Sequence, residues 1–178
     1  MESQGNEELQ KIYKTAFFCS RRCPAAVVLK SYDWARERRQ EKRCVISGNH
    51  SPIEKDVLHY LLKGEQPIIL ALARGLKKRL EPELATALAN NRLLIITPFS
   101  SIVIRVTQET ANKRNELMAE LAEEIFVAYA QPGGNVERLV MKWLKKSKKV
   151  LTWDIPENRL LIEAVALGIK KSGMAIST

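Results

Sequence analysis

Short apolar runs alternate with amphipathic stretches along almost the whole chain. The runs are rich in branched and aromatic side chains, which is typical of strands, and they cover residues 12–19, 44–46, 67–73, 93–96, 125–130 and 150–153. Between them, apolar positions recur every three or four residues, which predicts helices that begin near Pro24 and Pro52 and that cover residues 81–89, 107–122, 136–144 and 158–168. The sequence therefore predicts an α/β fold, a Rossmann-like doubly wound and mainly parallel sheet of about six strands with helices on both faces.

The pattern of the helix that follows Pro24 predicts one inward face and leaves the place of a neighbouring tryptophan open. Val28, Tyr32 and Ala35 are four and three residues apart and share one face, which we expect to point to the core. Trp34 lies beside this face, and the pattern leaves open whether it packs in the core or stacks on a nucleic-acid base.

The composition fits one globular domain. The chain has 178 residues, of which 46% are hydrophobic and 28% are charged, and this length suffices for a sizeable core. We expect residues 1–10 to be a disordered or frayed N-terminal tail, residues 11–170 to form a single domain, and residues 171–178 to be a C-terminal tail. The polar, acidic start is unlike a signal peptide, and no apolar run approaches the length of a membrane span. Three cysteines cannot all pair, and free thiols are typical of a cytoplasmic protein. We also expect no membrane partner and no metal site.

The net charge of +9 is concentrated in clusters at residues 36–43, 74–79 and 142–149. A basic surface attracts nucleic acid and other polyanions without base specificity. A solvated lysine-rich face is the alternative explanation of any one cluster. Only clusters that share a face would favour nucleic acid.

Hydroxylic, small and basic residues recur where the predicted strands end. The carboxyl ends of parallel strands lie at one edge of the sheet, where ligands of such folds bind. Helix N-termini and arginine side chains suit a phosphate group, so we expect this edge to hold a phosphate-bearing ligand. The candidates at strand ends and in the Arg-Asn pair before the fifth strand are Ser20, Arg21, Ser47, Gly48, Arg74, Gly75, Arg114, Asn115, Gly133 and Gly134.

Five short motifs in this order make the chain similar to the DNA-processing (DprA/Smf) proteins, within the wider superfamily that includes the lysine-decarboxylase-like LOG phosphoribohydrolases. The first strand ends in Cys19-Ser20-Arg21 where that family has Gly-Ser-Arg, and the second ends in Ser47-Gly48 as it does there. Glu54 stands in place of an aspartate, Gly75-Leu76 follows the third strand, and Arg114-Asn115 opens the next matching helix. The likeness spans about residues 15–155.

The resemblance implies a domain that binds single-stranded DNA on a basic face and helps to load the RecA recombinase onto it in recombination or DNA uptake. Arg21 and Arg114 would bind phosphate as bidentate forks, Asn115 would fix the ligand or the neighbouring loop, and the glycines would let the backbone approach closely. A surface ion pair is the alternative for Arg114. No cofactor is implied. Relatives of this fold often form dimers, for which the apolar residues 155–169 are a candidate surface.

Two other functions stay open. Pro132-Gly133-Gly134 resembles the first part of the LOG motif Pro-Gly-Gly-x-Gly-Thr, although Gly-Thr is absent. A LOG-like enzyme would cleave the base from a nucleoside 5'-monophosphate, with Arg114 on the phosphate and Glu137 acting on the ribose or as acid/base. A domain that senses a nucleotide without catalysis is the third possibility.

Overall fold

The computed structural model describes residues 1–171, with side chains up to residue 165. Its strands are β1 (Glu2–Gly5), β2 (Lys14–Cys19), β3 (Cys44–Ser47), β4 (Ile68–Ala71), β5 (Leu93–Thr97), β6 (Glu124–Tyr129) and β7 (Lys149–Leu151). Its helices are α1 (Ala25–Gln40), α2 (Pro52–Leu62), α3 (Pro82–Ala89), α4 (Gln108–Leu121), α5 (Asn135–Lys145) and α6 (Arg159–Lys171), with short 3₁₀ turns at Glu7–Gln10 and Pro156–Asn158. All but the first residue of the predicted C-terminal tail lies outside the described residues.

The seven strands form one sheet in the order β1-β5-β4-β3-β2-β6-β7. Every neighbouring pair is parallel except β1 and β5, which are antiparallel. The α/β doubly wound fold predicted from the sequence is therefore confirmed, with one strand more than expected. The division of the chain into domains stays a prediction.

The extra strand corrects the expectation for residues 1–10. Glu2 pairs with Thr97, and the pairing continues to Gly5 opposite Leu94, while Leu9 in the following turn is buried in the core. The sequence pattern did not predict this strand because its residues are mostly polar, and an exposed edge strand needs no apolar alternation.

Gly5 is needed where this edge strand ends. Its φ is +112°, and a Cβ built on it would lie 2.3 Å from the backbone oxygen of Leu93. We expect Gly5→Ala to cost about 2–3 kcal/mol, because both the dihedral and the contact are unfavourable for alanine. Hydrogen exchange and urea unfolding measure this loss, which should be greatest at the amides of β1. Gly133→Ala is the matched control, since Gly133 has φ +70° with no atom within 4 Å of such a Cβ, and it should cost about 1 kcal/mol. Equal effects would contradict a role for the Leu93 contact.

The helices cover both faces of the sheet. Side chains of α1, α2 and α3 join one core cluster, and those of α4, α5 and α6 join the other. In the first cluster Trp34 packs on Phe17 and Phe126, with ring centroids 4.8 and 5.2 Å apart. Trp34 is therefore a core residue, and it is buried to 5% exposure.

The inward face of α1 includes the predicted Ala35 and otherwise lies one residue earlier than predicted. Val27, Ser31 and Trp34 are buried, whereas Tyr32 is half-buried and donates a hydrogen bond to Asp56 on α2 at 2.9 Å. The hydroxyl of Ser31 bonds the carbonyl of Val27 at 2.8 Å, which lets a polar residue occupy an inward position without an unsatisfied donor.

The strand order places a topological switch point at β2. From β2 the chain moves outward through β3, β4 and β5, and then returns to pair β6 with the other side of β2. The connections after β2 and β6 therefore leave in opposite directions, which opens a crevice at the carboxyl ends of these strands.

Candidate functional site

A cleft of about 190 Å³ lies at this switch point. Its walls come from the ends of β2 and β3 and from the N-terminal parts of α2, α4 and α5. Five of the residues predicted to bind phosphate line it, namely Ser20, Arg21, Arg114, Asn115 and Gly134. Half of the ten residues predicted from the sequence therefore lie together in one cleft.

Ser20 joins the two strands that flank the crevice. Its backbone N–H bonds the carbonyl of Tyr129 at 2.9 Å, and its hydroxyl oxygen accepts a bond from the backbone N–H of Gln131, also at 2.9 Å. The side chain is buried. Ser20 thus fixes the loop between β6 and α5 at the edge of the cleft.

Arg114 is buried, with 2% of its surface exposed. Its Nε donates to Oδ1 of Asn115 at 2.8 Å, and its Nη1 donates to the carbonyl of Gly48. The same nitrogen lies 3.5 Å from the carbonyl of Ala71 on β4. Arg114 therefore forms no surface ion pair among the described side chains, which corrects that alternative, and the chain's own carbonyls and amide engage its Nε and Nη1. Phosphate binding by Arg114 stays a prediction.

Gly48 is small because of this arginine. A Cβ on Gly48 would lie 2.4 Å from Nη1 of Arg114. Asn115 in turn accepts the bond from Arg114, so its amide orients the guanidinium. The Arg-Asn pair therefore holds the ends of β3 and β4 against α4.

Glu54 has a role that sequence reasoning missed. Its carboxylate is buried and accepts bonds from the backbone N–H groups of Cys19 (3.3 Å), His50 (2.9 Å) and Ser51 (3.2 Å). A negative group at the start of α2 and beside the end of β2 takes the place that a ligand anion could occupy there. The spacing Ser51-x-x-Glu54 forms a capping box, and that spacing was the available sequence signal.

The charges of the cleft influence each other. Burial lowers the pKa of Arg114, and the nearby Glu54 carboxylate acts in the opposite direction. Burial also lowers the pKa of His50, and Arg114 adds to this effect. His50 lines the cleft and is therefore neutral at pH 7.

The lowered pKa of His50 predicts a loss of stability in mild acid. The unfolded chain binds a proton at this position below about pH 6.5, while the folded chain resists it, so the free energy of unfolding should fall as the pH drops from 7 to about 5.5. Urea unfolding at a series of pH values measures the slope, and His50→Gln should flatten it. His59→Gln is the control, because His59 is exposed and lies 3.1 Å from Glu83. A slope that only the His59 change alters would contradict this assignment.

Five of the predicted residues do not line the cleft, namely Ser47, Gly48, Arg74, Gly75 and Gly133. Ser47 is buried and its hydroxyl accepts the backbone N–H of Asn49 at 3.2 Å. The backbone N–H of Gly75 bonds Val103 at 2.8 Å, and a Cβ on Gly75 would lie 2.4 Å from the carbonyl oxygen of Ser100. Arg74 is half-buried beside this loop. These residues shape the strand ends and do not line the crevice.

The Pro-Gly-Gly loop is held by its own helix. The backbone N–H of Gly133 donates to the Glu137 carboxylate at 2.7 Å, and Gly134 is the N-terminal cap of α5. Glu137 does not line the cleft. The contact of Glu137 with Gly133 therefore stabilises the loop.

Exposed cations lie in loops at the same edge of the sheet as the crevice. They come from the loops after β2, β4 and β5, and none of them forms an ion pair among the side chains described: Arg21, Arg22, Lys78, Arg79 and Arg105. The single acidic residue of these three loops, Glu81, lies 3.8 Å from Lys77. Sequence reasoning missed Arg105, because it is isolated from the basic clusters.

An apolar segment flanks Arg105. Ile102, Ile104 and Val106 are 84%, 62% and 48% exposed, and they alternate along residues 102–106 between β5 and α4. Exposed branched residues at this density are unusual on a protein surface. The segment borders the basic edge directly.

The other two basic clusters lie elsewhere. Residues 36–43 lie at and just after the C-terminal end of α1, and residues 142–149 lie at and just after that of α5. Both clusters are therefore at the opposite edge of the sheet. Several of these side chains have partners: Lys142 lies 2.8 Å from Glu116 and Lys149 3.0 Å from Glu124. For these clusters the solvated-face interpretation is therefore favoured.

Within residues 1–171, no group of three or more His, Cys, Asp or Glu side chains is placed to hold a metal ion. No helix in the same part of the chain is long and apolar enough to cross a membrane.

No protein-family model matches the sequence, and a search of curated proteins finds no match either. Solved structures do match. DNA processing protein A from Helicobacter pylori, whose structure describes a single-stranded DNA binding mode, superposes with a TM-score of 0.73 at 16% identity, over 92% of this chain and 78% of that one. The Streptococcus pneumoniae protein (DprA) gives 0.72 at 17% identity, over 98% of this chain and 66% of that one.

A molybdenum cofactor binding protein from Rippkaea orientalis is a more distant match, with a TM-score of 0.57 and 13% identity over 86% of this chain and 85% of that one. The chain therefore has the Rossmann-like fold of the DprA proteins, and the resemblance expected from its motifs is confirmed at the level of the fold. The chain spans slightly less than two thirds of the S. pneumoniae protein.

Proposed function

We propose that the chain is a DprA-like DNA-processing protein that binds single-stranded DNA across the carboxyl edge of its sheet. The observation that carries this proposal is the set of five unpaired, exposed cations in three loops at one edge. Adjacent strands are about 4.8 Å apart, so the loops after β5 and β2 are separated by three strand spacings, about 14 Å. Cations spread over this length suit an extended polyanion better than a single phosphate group.

The apolar segment gives the same surface a second kind of contact. Ile102, Ile104 and Val106 lie beside Arg105, so a strand whose phosphates contact the cations can place unpaired bases on these side chains. Base contact of this kind buries apolar surface and tolerates any sequence. Double-stranded DNA, whose bases are stacked inside the helix, cannot use it.

The salt dependence of binding tests the proposal. Five phosphate contacts to a single strand predict a slope of log K against log salt of about −3.5, so affinity should fall by about 100-fold between 50 and 200 mM salt. Fluorescence anisotropy with a labelled oligothymidine measures this slope, and a duplex of equal length is the comparison. Absence of salt-sensitive binding at micromolar protein would overturn the proposal.

A small phosphate-bearing ligand at the cleft is the second candidate. Its support is the position of the cleft at the switch point and the fold shared with a molybdenum cofactor binding protein. The cleft of about 190 Å³ is smaller than the roughly 300–1,000 Å³ of sites that enclose a small molecule, which argues against a LOG-like enzyme that engulfs a nucleotide. Release of free base from nucleoside monophosphates would favour the enzyme, and a nucleotide retained in native mass spectrometry would favour a sensor.

The wider biological setting belongs to the same proposal. Transfer of the bound strand to RecA, a role in recombination or DNA uptake, a cytoplasmic location and a homodimer follow from the resemblance. Light scattering tests the dimer, and RecA filament assembly on strands coated by a single-strand binding protein tests the loading activity. Unchanged RecA kinetics in the presence of this chain would contradict loading while leaving DNA binding in place.

A further inference from the structure

Two cysteine thiols meet at the end of β2. Cys19 is the last residue of the strand and is buried, while Cys23 is half-buried just before α1. Both side chains contact the same core cluster, and each thiol is the largest influence on the pKa of the other. The three residues between them are Ser20, Arg21 and Arg22, of which Ser20 and Arg21 line the cleft.

We propose that Cys19 and Cys23 form a redox-active dithiol, in which Cys23 reacts with a hydroperoxide and Cys19 then closes a disulfide. The inference rests on the position of both thiols against one core cluster, four residues apart in the chain, and on the different burial of the two sulfurs. It does not depend on the proposed DNA binding, except for the effect on affinity given below.

The surroundings of Cys23 favour the reactive thiolate. It precedes the N-terminus of α1, whose dipole stabilises a negative charge. The hydrogen bond from Cys19 lowers the pKa of Cys23 to about 7, against the opposing effect of burial. Cys19 has the opposite character, because the same contact and its burial raise its pKa. An accessible thiolate beside a protonated thiol is the arrangement of an attacking and a resolving cysteine.

The chemistry balances in two steps. The Cys23 thiolate attacks the hydroperoxide, so that an S–O bond forms, the O–O bond breaks, and the alkoxide or hydroxide that leaves takes up a proton from water. The Cys19 sulfur then attacks the Cys23 sulfur, the S–O bond breaks, and the departing oxygen leaves as water with the Cys19 proton. Two thiols are oxidised to one disulfide, and the hydroperoxide is reduced to an alcohol or water, and water.

Cys44 provides an internal control. It lies on β3, belongs to the core on the other face of the sheet, and is buried to 2% exposure. Burial raises its pKa to about 12. Cys44 should therefore neither react nor pair with the other two.

Hydrogen peroxide treatment of the reduced full chain tests the site. We expect the free thiols to fall from three to one, the mass to decrease by two hydrogen atoms, and peptide mapping to find the link between Cys19 and Cys23. Cys19→Ser should accumulate a sulfenate at Cys23 that dimedone traps, Cys23→Ser should show neither product, and Cys44→Ser should behave as the unmodified protein. An unchanged thiol count, a link to Cys44 or a link between two chains would overturn the proposal.

A second measurement needs no substitution and so does not depend on a variant's folding. The rate of alkylation by iodoacetamide at Cys23 should reach half of its plateau near pH 7, and Cys44 should stay unlabelled until the chain is unfolded in urea. Equal rates at Cys23 and Cys44 in the folded protein would contradict the assignment.

The disulfide should also alter the cleft. An S–S bond of about 2.05 Å is shorter than a hydrogen-bonded contact between thiols, so closure shifts the loop that carries Arg21 and Arg22. On the basis of the proposed function, we expect the oxidised protein to bind oligothymidine about tenfold more weakly, with recovery on reduction. Unchanged affinity of the disulfide form would overturn this coupling. If neither redox state binds DNA, the proposed function is wrong. The mass and thiol measurements test the disulfide independently of that result.

Discussion

Replacing Arg21 and Arg22 with alanine will weaken the binding of single-stranded DNA by about 10- to 100-fold at low salt and make the salt slope shallower by about 1.4, because two phosphate contacts are lost. Both side chains are exposed in the loop after β2, and neither has an ion-pair partner among the described side chains. Anisotropy titrations at several salt concentrations measure both quantities. The folded state should be unaffected, since solvated side chains without partners contribute little to stability.

The matched control removes the same charge from the opposite edge of the sheet. Lys145 and Lys146 are exposed at the end of α5 and form no salt bridge among the described side chains. Their double alanine variant should change affinity by less than about threefold, through long-range attraction alone. Equal losses in the two double variants would mean that only the net charge matters, and the binding edge would then be wrong.

Replacing Arg114 with alanine will destabilise the folded chain by about 3–4 kcal/mol. Three causes act together: the carbonyl of Gly48 loses its donor, Asn115 loses its partner, and the buried Glu54 carboxylate loses its neighbouring positive charge. Urea unfolding followed by circular dichroism measures the change. This effect on stability distinguishes a buried supporting arginine from an exposed phosphate ligand.

The preceding residue of α4 supplies the control. Lys113 is exposed and lies 3.0 Å from Glu109 one turn earlier, so Lys113→Ala should cost less than about 0.5 kcal/mol. A loss below about 1 kcal/mol for Arg114→Ala would contradict the supporting role. In the double variant with Glu54→Gln the loss should be smaller than the sum of the two single losses, because the neutral amide no longer needs a positive neighbour.

The arrangement of strands and helices could be predicted because each apolar run is buried on both faces. Strands β2 to β6 are almost entirely buried, and such strands produce a strong sequence pattern. The first strand could not be found this way, since its side chains are mostly exposed and its pairing partner lies far along the chain. Part of the inward face of α1 was displaced because a buried serine interrupts the apolar stripe.

The location of the candidate site was more predictable than the roles of its residues. Strand ends identify the edge, and Ser20, Arg21, Asn115 and Gly134 do line the cleft there. Burial, however, cannot be predicted from a single sequence. Arginine is a residue type expected of a phosphate ligand, but Arg114 is buried and bonded to the carbonyl of Gly48, as a structural residue would be. Whether any of these residues binds a ligand stays a prediction.

The pairing of β1 with β5 sets an order on folding. Glu2 and Thr97 are neighbours in the sheet although they are 95 residues apart in the chain, so this contact closes a very long loop. During synthesis the first residues leave the ribosome well before β5 does. The N-terminal strand must therefore wait unpaired and dock late, and an N-terminal fusion or tag should slow this last step while the parallel core forms at its usual rate.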